Sequence, residues 1–196
     1  MAQLYAIVGT MDRARLMLDA GVPYLQLRFK EMPLEVYFQE ISTWTEKYPD
    51  TRLIINDDLH AAHQVGAWGV HMGQEDLTRY KTKEFRKATV NLGISTHTDE
   101  EIDLALRYNP AMLGFGPILQ TKTKIVSHYP QGVYRLAEIV AKTPLPIVAI
   151  GGISEENLES VLETNVAMIA MISNLDNYQT ANEVQALMTL MDKKTH

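Results

Sequence analysis

The sequence predicts an α/β protein: a closed (β/α)₈ barrel built as one domain over residues 1–196. Eight short apolar runs are each followed by a longer amphipathic stretch, the alternation of a strand-then-helix chain. The runs are apolar almost without interruption, as parallel strands covered by helices should be. Unusual polar residues gather where the runs end, which is where a barrel of this kind carries its function. At 196 residues the chain is short for a fold that typically takes about 250. Short helices and tight loops at the opposite face would accommodate that. A doubly wound open sheet is the competing architecture.

Strands are expected at 4–8, 24–28, 53–56, 68–71, 91–95, 112–115, 146–150 and 167–172. Helices are expected at 11–20, 33–48, 58–65, 79–88, 99–108, 132–141, 155–163 and 178–191. Pro33 suits the first turn of the second helix. Thr98 and Glu101 have the spacing of a capping box before the fifth. Ser154 stands before two glutamates, which favour the positive end of the seventh helix. Tyr48-Pro49-Asp50 and Asn109-Pro110 are short polar joints between a helix and the next strand. No linker, solenoid repeat or low-complexity tract divides the chain.

Hydrophobic residues make up 46% and charged residues 21%, a globular composition, with a formal net charge of -6. That balance argues against nucleic acid and membrane surfaces as partners, and leaves room for a local cationic pocket. With no cysteine, disulfides, thiolate metal sites and cysteine nucleophiles are excluded. No apolar run reaches the roughly 18–20 residues that cross a bilayer, and the N-terminus lacks the basic flank of a signal peptide. A cytoplasmic location is expected.

The second strand ends Gln26-Leu27-Arg28-Phe29-Lys30. Alternation would put Gln26, Arg28 and Lys30 on one face, with Leu27 and Phe29 on the other. Two cations and an amide at a strand end suit a phosphate-rich ligand. The third strand ends Asn56-Asp57-Asp58, and Gly73-Gln74-Glu75-Asp76 follows the fourth. Carboxylates on adjacent loops, here Asp57 and Asp76, can converge on Mg²⁺, a hard ion that prefers oxygen ligands. Asp58 fits a helix N-cap better. Ser95 can donate to a phosphate or a heterocycle. His71 and His97 are acid–base candidates, though such histidines more often pack and hydrogen-bond structurally. After the sixth strand, Thr121-Lys122-Thr123-Lys124 offers hydroxyls, backbone N–H groups and an ammonium, which is anion-binding chemistry. The seventh strand ends in Gly151-Gly152 and the eighth in Ile172-Ser173-Asn174, a frequent phosphate position in barrels. Two anion sites follow, one near strands two to four and one near strands six to eight.

In their order and spacing these segments resemble the thiamine-phosphate synthase family, also called thiamine monophosphate pyrophosphorylase. The segments are Leu4-Tyr5-Ala6-Ile7-Val8, Gln26-Leu27-Arg28-Phe29-Lys30, Ile55-Asn56-Asp57-Asp58, Gly69-Val70-His71-Met72-Gly73-Gln74-Glu75-Asp76, Leu92-Gly93-Ile94-Ser95-Thr96-His97, Gly114-Phe115-Gly116-Pro117-Ile118 with the loop to Lys124, Ile147-Val148-Ala149-Ile150-Gly151-Gly152, and Met171-Ile172-Ser173. The resemblance implies a TIM barrel that joins a hydroxymethylpyrimidine diphosphate to a thiazole phosphate, plain or carboxylated, giving thiamine monophosphate and pyrophosphate. It implies that Gln26, Arg28, Lys30, Asn56, Ser95 and Lys124 hold the pyrimidine diphosphate, with Arg28, Lys30, Ser95 and Lys124 catalytic. It implies Asp57 and Asp76 on Mg²⁺, and Thr121, Thr123, Gly152, Ile172 and Ser173 on the thiazole phosphate. The implied partners are small molecules, and a homodimer is left open.

Four departures from the family pattern stand out. Phe29 replaces a usual acidic residue and Gln120 a usual proline. The segment after the first strand is short, and Thr164-Asn165-Val166 replaces an Ala-Gly-Ala turn. None removes an implied ligand. A related thiazole tautomerase would have little use for two aspartates together with Arg28, Lys30 and Lys124. A non-catalytic thiamine-phosphate binder would not need the metal ligands. A phosphate-binding barrel isomerase of another pathway would explain a single phosphate site but not the diphosphate side.

Overall fold

The computed structural model describes residues 1–30, 33–80, 82–87, 89–120 and 129–194, with the side chains of Arg86, Lys87 and Lys194 left out. Its eight strands are β1 (Gln3–Val8), β2 (Tyr24–Leu27), β3 (Arg52–Asn56), β4 (Gly69–Met72), β5 (Asn91–Thr96), β6 (Met112–Phe115), β7 (Ile147–Ile150) and β8 (Met168–Met171). They pair in parallel in chain order, and β8 returns to β1 with Gln3 opposite Met168, closing the barrel. The helices are α1 (Met11–Asp19), α2 (Phe38–Lys47), α3 (Leu59–Gln64), α4 (Thr82–Lys87), α5 (Asp99–Leu106), α6 (Gly132–Lys142), α7 (Leu158–Leu162) and α8 (Ala181–Lys194). Half of these have eight residues or fewer, which is how the short chain completes the fold.

Alternation divides each strand between two cores. Leu25, Leu27, Ile55, Val70, Ile94 and Phe115 face outward into the layer shared with the helices. Tyr5, Ile7, Tyr24, Ile54, Met112, Val148, Met168 and Ala170 fill the barrel. Each fully buried aliphatic side chain of this kind contributes about 1.5–3 kcal/mol. At the floor, the Arg52 guanidinium lies 5.0 Å from the Tyr24 ring centre and 5.7 Å from that of Trp68, and donates to the Tyr24 hydroxyl at 3.1 Å. Towards the C-terminal ends of the strands the filling turns polar: Gln26, Asn56, His71 and Ser95 occupy inward positions. An apolar plug below and polar groups above direct ligand chemistry to that end.

Four helices differ from expectation: the eighth spans Ala181–Lys194 rather than 178–191, beginning after the 3-10 turn Ser173–Asn177 and its cap, and three others differ as follows. The second divides into a 3-10 turn, Leu34–Tyr37, and α2. The fourth begins at Thr82, because Arg79 belongs to a separate 3-10 turn, Asp76–Arg79. The seventh begins at Leu158 rather than 155, because the Asn157 side chain ties the chain before it into a loop: its Oδ1 accepts from Ser154 N at 3.0 Å and its Nδ2 donates to Gly152 O at 3.0 Å. Elsewhere the start signals act as expected. Asp58 caps α3 by accepting from Ala61 N at 2.9 Å. Thr98 caps α5, accepting from Glu101 N at 3.2 Å, while Glu101 reaches back one residue further, to His97 N. Asn165 takes the left-handed conformation, φ 58, at the turn where the family has glycine, and asparagine tolerates it better than most residues.

Candidate active site

The wall from β2 to β5 is made of interlocked side chains. Gln26, 2% exposed, donates from Nε2 to Asn56 Oδ1 at 2.7 Å. This turns the Asn56 Nδ2 group onto the Asp57 carboxylate. Asp57 has φ 61, a left-handed conformation that swings its carboxylate over the start of the β4 loop, where Gly73 N donates to it at 3.4 Å. Asp76 arrives at the same place from the following 3-10 turn. A Cβ on Gly73 would stand 3.0 Å from Asp76 Oδ2, so this glycine lies between the two carboxylates. Burial pushes the Asp57 carboxyl above its ordinary range; the charge of Asp76 and a hydrogen bond to it push the same way, against the Gly73 N–H and Asn56 amide. Arg79 approaches Asp76 at 3.1 Å.

His71 lies in the barrel below this pair. Its Nε2 is 3.0 Å from Ser95 Oγ and its Nδ1 is 3.4 Å from the Tyr5 hydroxyl. Two neighbouring strands leave room for the ring by carrying glycine. A Cβ on Gly93 would stand 2.7 Å from Nδ1, and one on Gly114 would stand 3.3 Å from Cε1. Burial lowers the His71 pKa to about 4, which keeps the ring neutral near pH 7. Burial, and then the nearby Tyr24, push the Tyr5 phenol upward, so it stays protonated. Gln74 Nε2 donates to Ser95 O at 2.6 Å and fixes the serine backbone.

The wall from β6 to β8 is made of backbone. Gly116 passes so close to β7 that a Cβ there would stand 2.1 Å from Ile150 O. Ile118 N donates to Ile150 O and Leu119 N to Gly151 O, each at 2.9 Å. Gly152, φ 70, packs where a Cβ would meet Gln120 O at 2.4 Å. The chain returning after the β6 loop is bonded to the same neck, with Gln131 N on Pro117 O at 2.8 Å and Gly132 N on Ile118 O at 2.9 Å. Asn174 Nδ2 donates to Ile153 O, joining the β7 and β8 loops and bringing Gly152 alongside Ile172 and Ser173.

Asn56, Asp57, Asp76 and Ser95 thus gather at the C-terminal end of β3 to β5, over Gln26, and Gly152, Ile172 and Ser173 gather at β7 and β8. Thr121, Thr123 and Lys124 lie outside the described residues. Strand β2 ends at Leu27, with Arg28 N still donating to Val8 O at 2.9 Å; Gln26 is buried, and exposed Lys30 lines a cleft together with Leu27, Phe29 and Asn56. Phe29, in the usual acidic position, packs edge-on against Tyr37 at 6.0 Å. His97 holds the β6 loop, its Nδ1 against Gly116 O at 2.5 Å. Tyr5, Gln74, Asn157 and Asn174 were not singled out from sequence. A glycine inside each of two adjacent strands was the available sign of the buried histidine.

Among the described residues no cluster of three or more His, Asp or Glu side chains forms a metal cage. The donor set is a carboxylate pair, Asp57 and Asp76, facing each other, with the Asp57 carboxyl raised first by burial and then by the charge of Asp76. Two all-oxygen donors whose charges repel fit a hard divalent ion that also takes oxygens from a ligand and from water.

The sequence model for thiamine monophosphate synthase matches residues 4–175. The chain belongs to the thiamine monophosphate synthase family. It is 41% identical over 174 residues to thiamine-phosphate synthase of Cronobacter sakazakii and 39% identical over 173 residues to that of Serratia proteamaculans, in both cases covering 87% of this chain and 82% of the relative. The fold superposes on thiamine phosphate pyrophosphorylase from Pyrococcus furiosus with a TM-score of 0.83 at 25% identity, over 99% of this chain and 97% of the other. The activity is the family's: a transferase reaction that forms thiamine phosphate and releases pyrophosphate.

Proposed function

We propose that the β2–β5 side takes the pyrimidine diphosphate and the β6–β8 side the thiazole phosphate. The observation that carries this reading is the convergence of Asp57 and Asp76 beside Asn56 at one side of the mouth, with glycines and main chain and, among the described residues, no carboxylate pair at the other. A barrel that handled a single monophosphate would gain nothing from two facing carboxylates, which repel such a ligand.

In this reading Asn56 and Ser95 meet the pyrimidine, and Gln26 acts through Asn56 by fixing its amide. Arg28, Lys30 and Lys124 neutralise the diphosphate. Thr121, Thr123, Gly152, Ile172 and Ser173 orient the thiazole phosphate so that its ring nitrogen faces the pyrimidine methylene. The methylene C–O bond breaks with its electron pair leaving on the diphosphate, and the thiazole nitrogen lone pair forms the new C–N bond. The pyrimidine amino group supports positive charge on the carbon meanwhile. The nitrogen is already a nucleophile, so no general base is required, consistent with a histidine held neutral and hydrogen-bonded inside the barrel. Asp57 and Asp76 would hold Mg²⁺, which when bound supplies charge neutralisation at the departing diphosphate. Phosphorylated substrates do not cross membranes unaided, which supports a cytoplasmic location.

Mixing both substrates with Mg²⁺ tests the reading. Thiamine monophosphate and pyrophosphate should appear in equal amounts and from neither substrate alone; release of pyrophosphate without coupling would overturn it. Lys124→Ala should lower turnover strongly with little change in melting temperature, as a lysine that serves a ligand rather than the core contributes little to stability. Unfolding of that variant would make the lysine structural instead.

A further inference from the structure

We infer that His71 is a positioning residue whose tautomer, fixed from below by Tyr5, makes Ser95 a hydrogen-bond donor toward the pyrimidine ring. The inference rests on the reading above that Ser95 meets the pyrimidine.

The Tyr5 side chain is 1% exposed, and among the described residues its hydroxyl has one hydrogen-bond partner, His71 Nδ1 at 3.4 Å. A buried hydroxyl hydrogen that finds no acceptor costs free energy, so it turns to the one acceptor within reach. Nδ1 must then be bare. In a neutral imidazole the proton is consequently on Nε2. Nε2–H points at Ser95 Oγ, 3.0 Å away, and donates to it. Ser95 receives a hydrogen from below, and its own O–H is free to turn toward the mouth. With the other tautomer the roles would reverse: Ser95 would give its hydrogen to Nε2 and offer only lone pairs to a ligand.

The surroundings hold this chain of bonds in place. The ring fills the slot left by Gly93 and Gly114, and the Ser95 carbonyl is tied to Gln74. The Tyr5 ring is edge-on to the imidazole at 6.2 Å and stacked on Tyr24 at 5.8 Å, which leaves its hydroxyl little freedom to turn away. An aminopyrimidine presents two kinds of edge: ring nitrogens that accept and an exocyclic amino group that donates. Ser95, as a donor, pairs with a ring nitrogen. The placement of one proton inside the barrel therefore selects which edge of the substrate the serine reads.

The test uses the full chain labelled with ¹⁵N. Long-range imidazole ¹H–¹⁵N correlation at pH 7.5 should show His71 protonated on Nε2 and bare on Nδ1. Tyr5→Phe keeps the ring and removes the donor. It should mix the tautomers and raise KM for the pyrimidine diphosphate roughly fivefold, the worth of one neutral hydrogen bond, with KM for the thiazole phosphate unchanged. A merely structural Tyr5 would move neither the tautomer nor one KM without the other. A wild-type proton on Nδ1, or a Tyr5→Phe variant with unaltered spectrum and KM, would overturn the inference. If Ser95→Ala left KM for the pyrimidine diphosphate unchanged while Nε2–H persisted, the assignment of Ser95 to that substrate would fall, and the donor role toward it with it.

Discussion

The two sides of the barrel mouth are built from different materials. From β2 to β5 the inward positions carry Gln26, Asn56, His71 and Ser95, and the loops carry Asp57 and Asp76; each side chain is held by another. From β6 to β8 the corresponding region is glycine and main chain, with Gly116, Gly151 and Gly152 allowing loops to pass at distances no Cβ would permit. A side-chain wall concentrates charge and can bind a metal. The backbone wall, among the described residues, presents glycines and main chain rather than facing carboxylates. Under the proposed reading the contrast would let one pocket tell two anions apart: one met through charge and a cation, the other through neutral donors.

The largest effect should come from breaking the charged side. Asp57→Asn or Asp76→Asn should lower turnover by about a hundred- to a thousandfold, the order expected when one electrostatic contact to a developing charge is removed. Stability should move the other way. The Asp57 carboxyl is raised above its ordinary range, so its charge opposite Asp76 costs stability at pH 7. Asp57→Asn should therefore melt no lower than the wild type in EDTA, and higher if the relief dominates. Near-normal turnover at saturating Mg²⁺ in both variants would remove the metal from this side and erase the contrast.

Breaking the backbone side should cost stability first. Gly152→Ala places a Cβ 2.4 Å from Gln120 O and 2.8 Å from Leu119 C, at φ 70. Backbone strain of this kind costs about 1–3 kcal/mol, before the clash is counted. Thermal melting should report the loss. Kinetics should show a raised KM for the thiazole phosphate with that for the pyrimidine diphosphate little changed. An equal rise in both would mean that the two sides do not act separately.

The strands could be read from sequence because each is a short apolar run bounded by polar or glycine residues, and β6 matches its expected bounds of 112–115 residue for residue. The convergence of Asp57 with Asp76 followed from loop order alone, once the barrel was assumed. What alternation could not give was the point at which a strand stops. Strand β2 stops at Leu27, so alternation alone does not assign a face to Lys30, which lines a cleft shared with Asn56. Ser154 misled for a related reason: its polar group is engaged by Asn157, a tertiary choice invisible to local pattern. The slot for His71 depends on glycines some twenty and forty residues away in sequence, brought together only by the register His71↔Gly93 and the strand after it.

The smallest effect concerns protons, and it sharpens the comparison by isolating one buried group. His71 has a folded-state pKa of about 4 against an ordinary 6.5. Below 6.5 the unfolded chain takes up a proton that the folded chain refuses, so stability falls as pH falls, from 6.5 toward 4. The contribution is complete above the ordinary value and lost across that window, at no more than about 1.4 kcal/mol per pH unit for one group. Asp57 acts with the opposite sign, since its raised carboxyl is relieved on protonation, so the wild-type profile alone mixes the two. Urea unfolding of wild type and His71→Gln at several pH values separates them, because the difference between the profiles belongs to His71. The variant should be less stable at pH 7, yet its stability should decline less steeply between pH 6.5 and 4. Parallel profiles would mean that the ring is not held neutral by the fold.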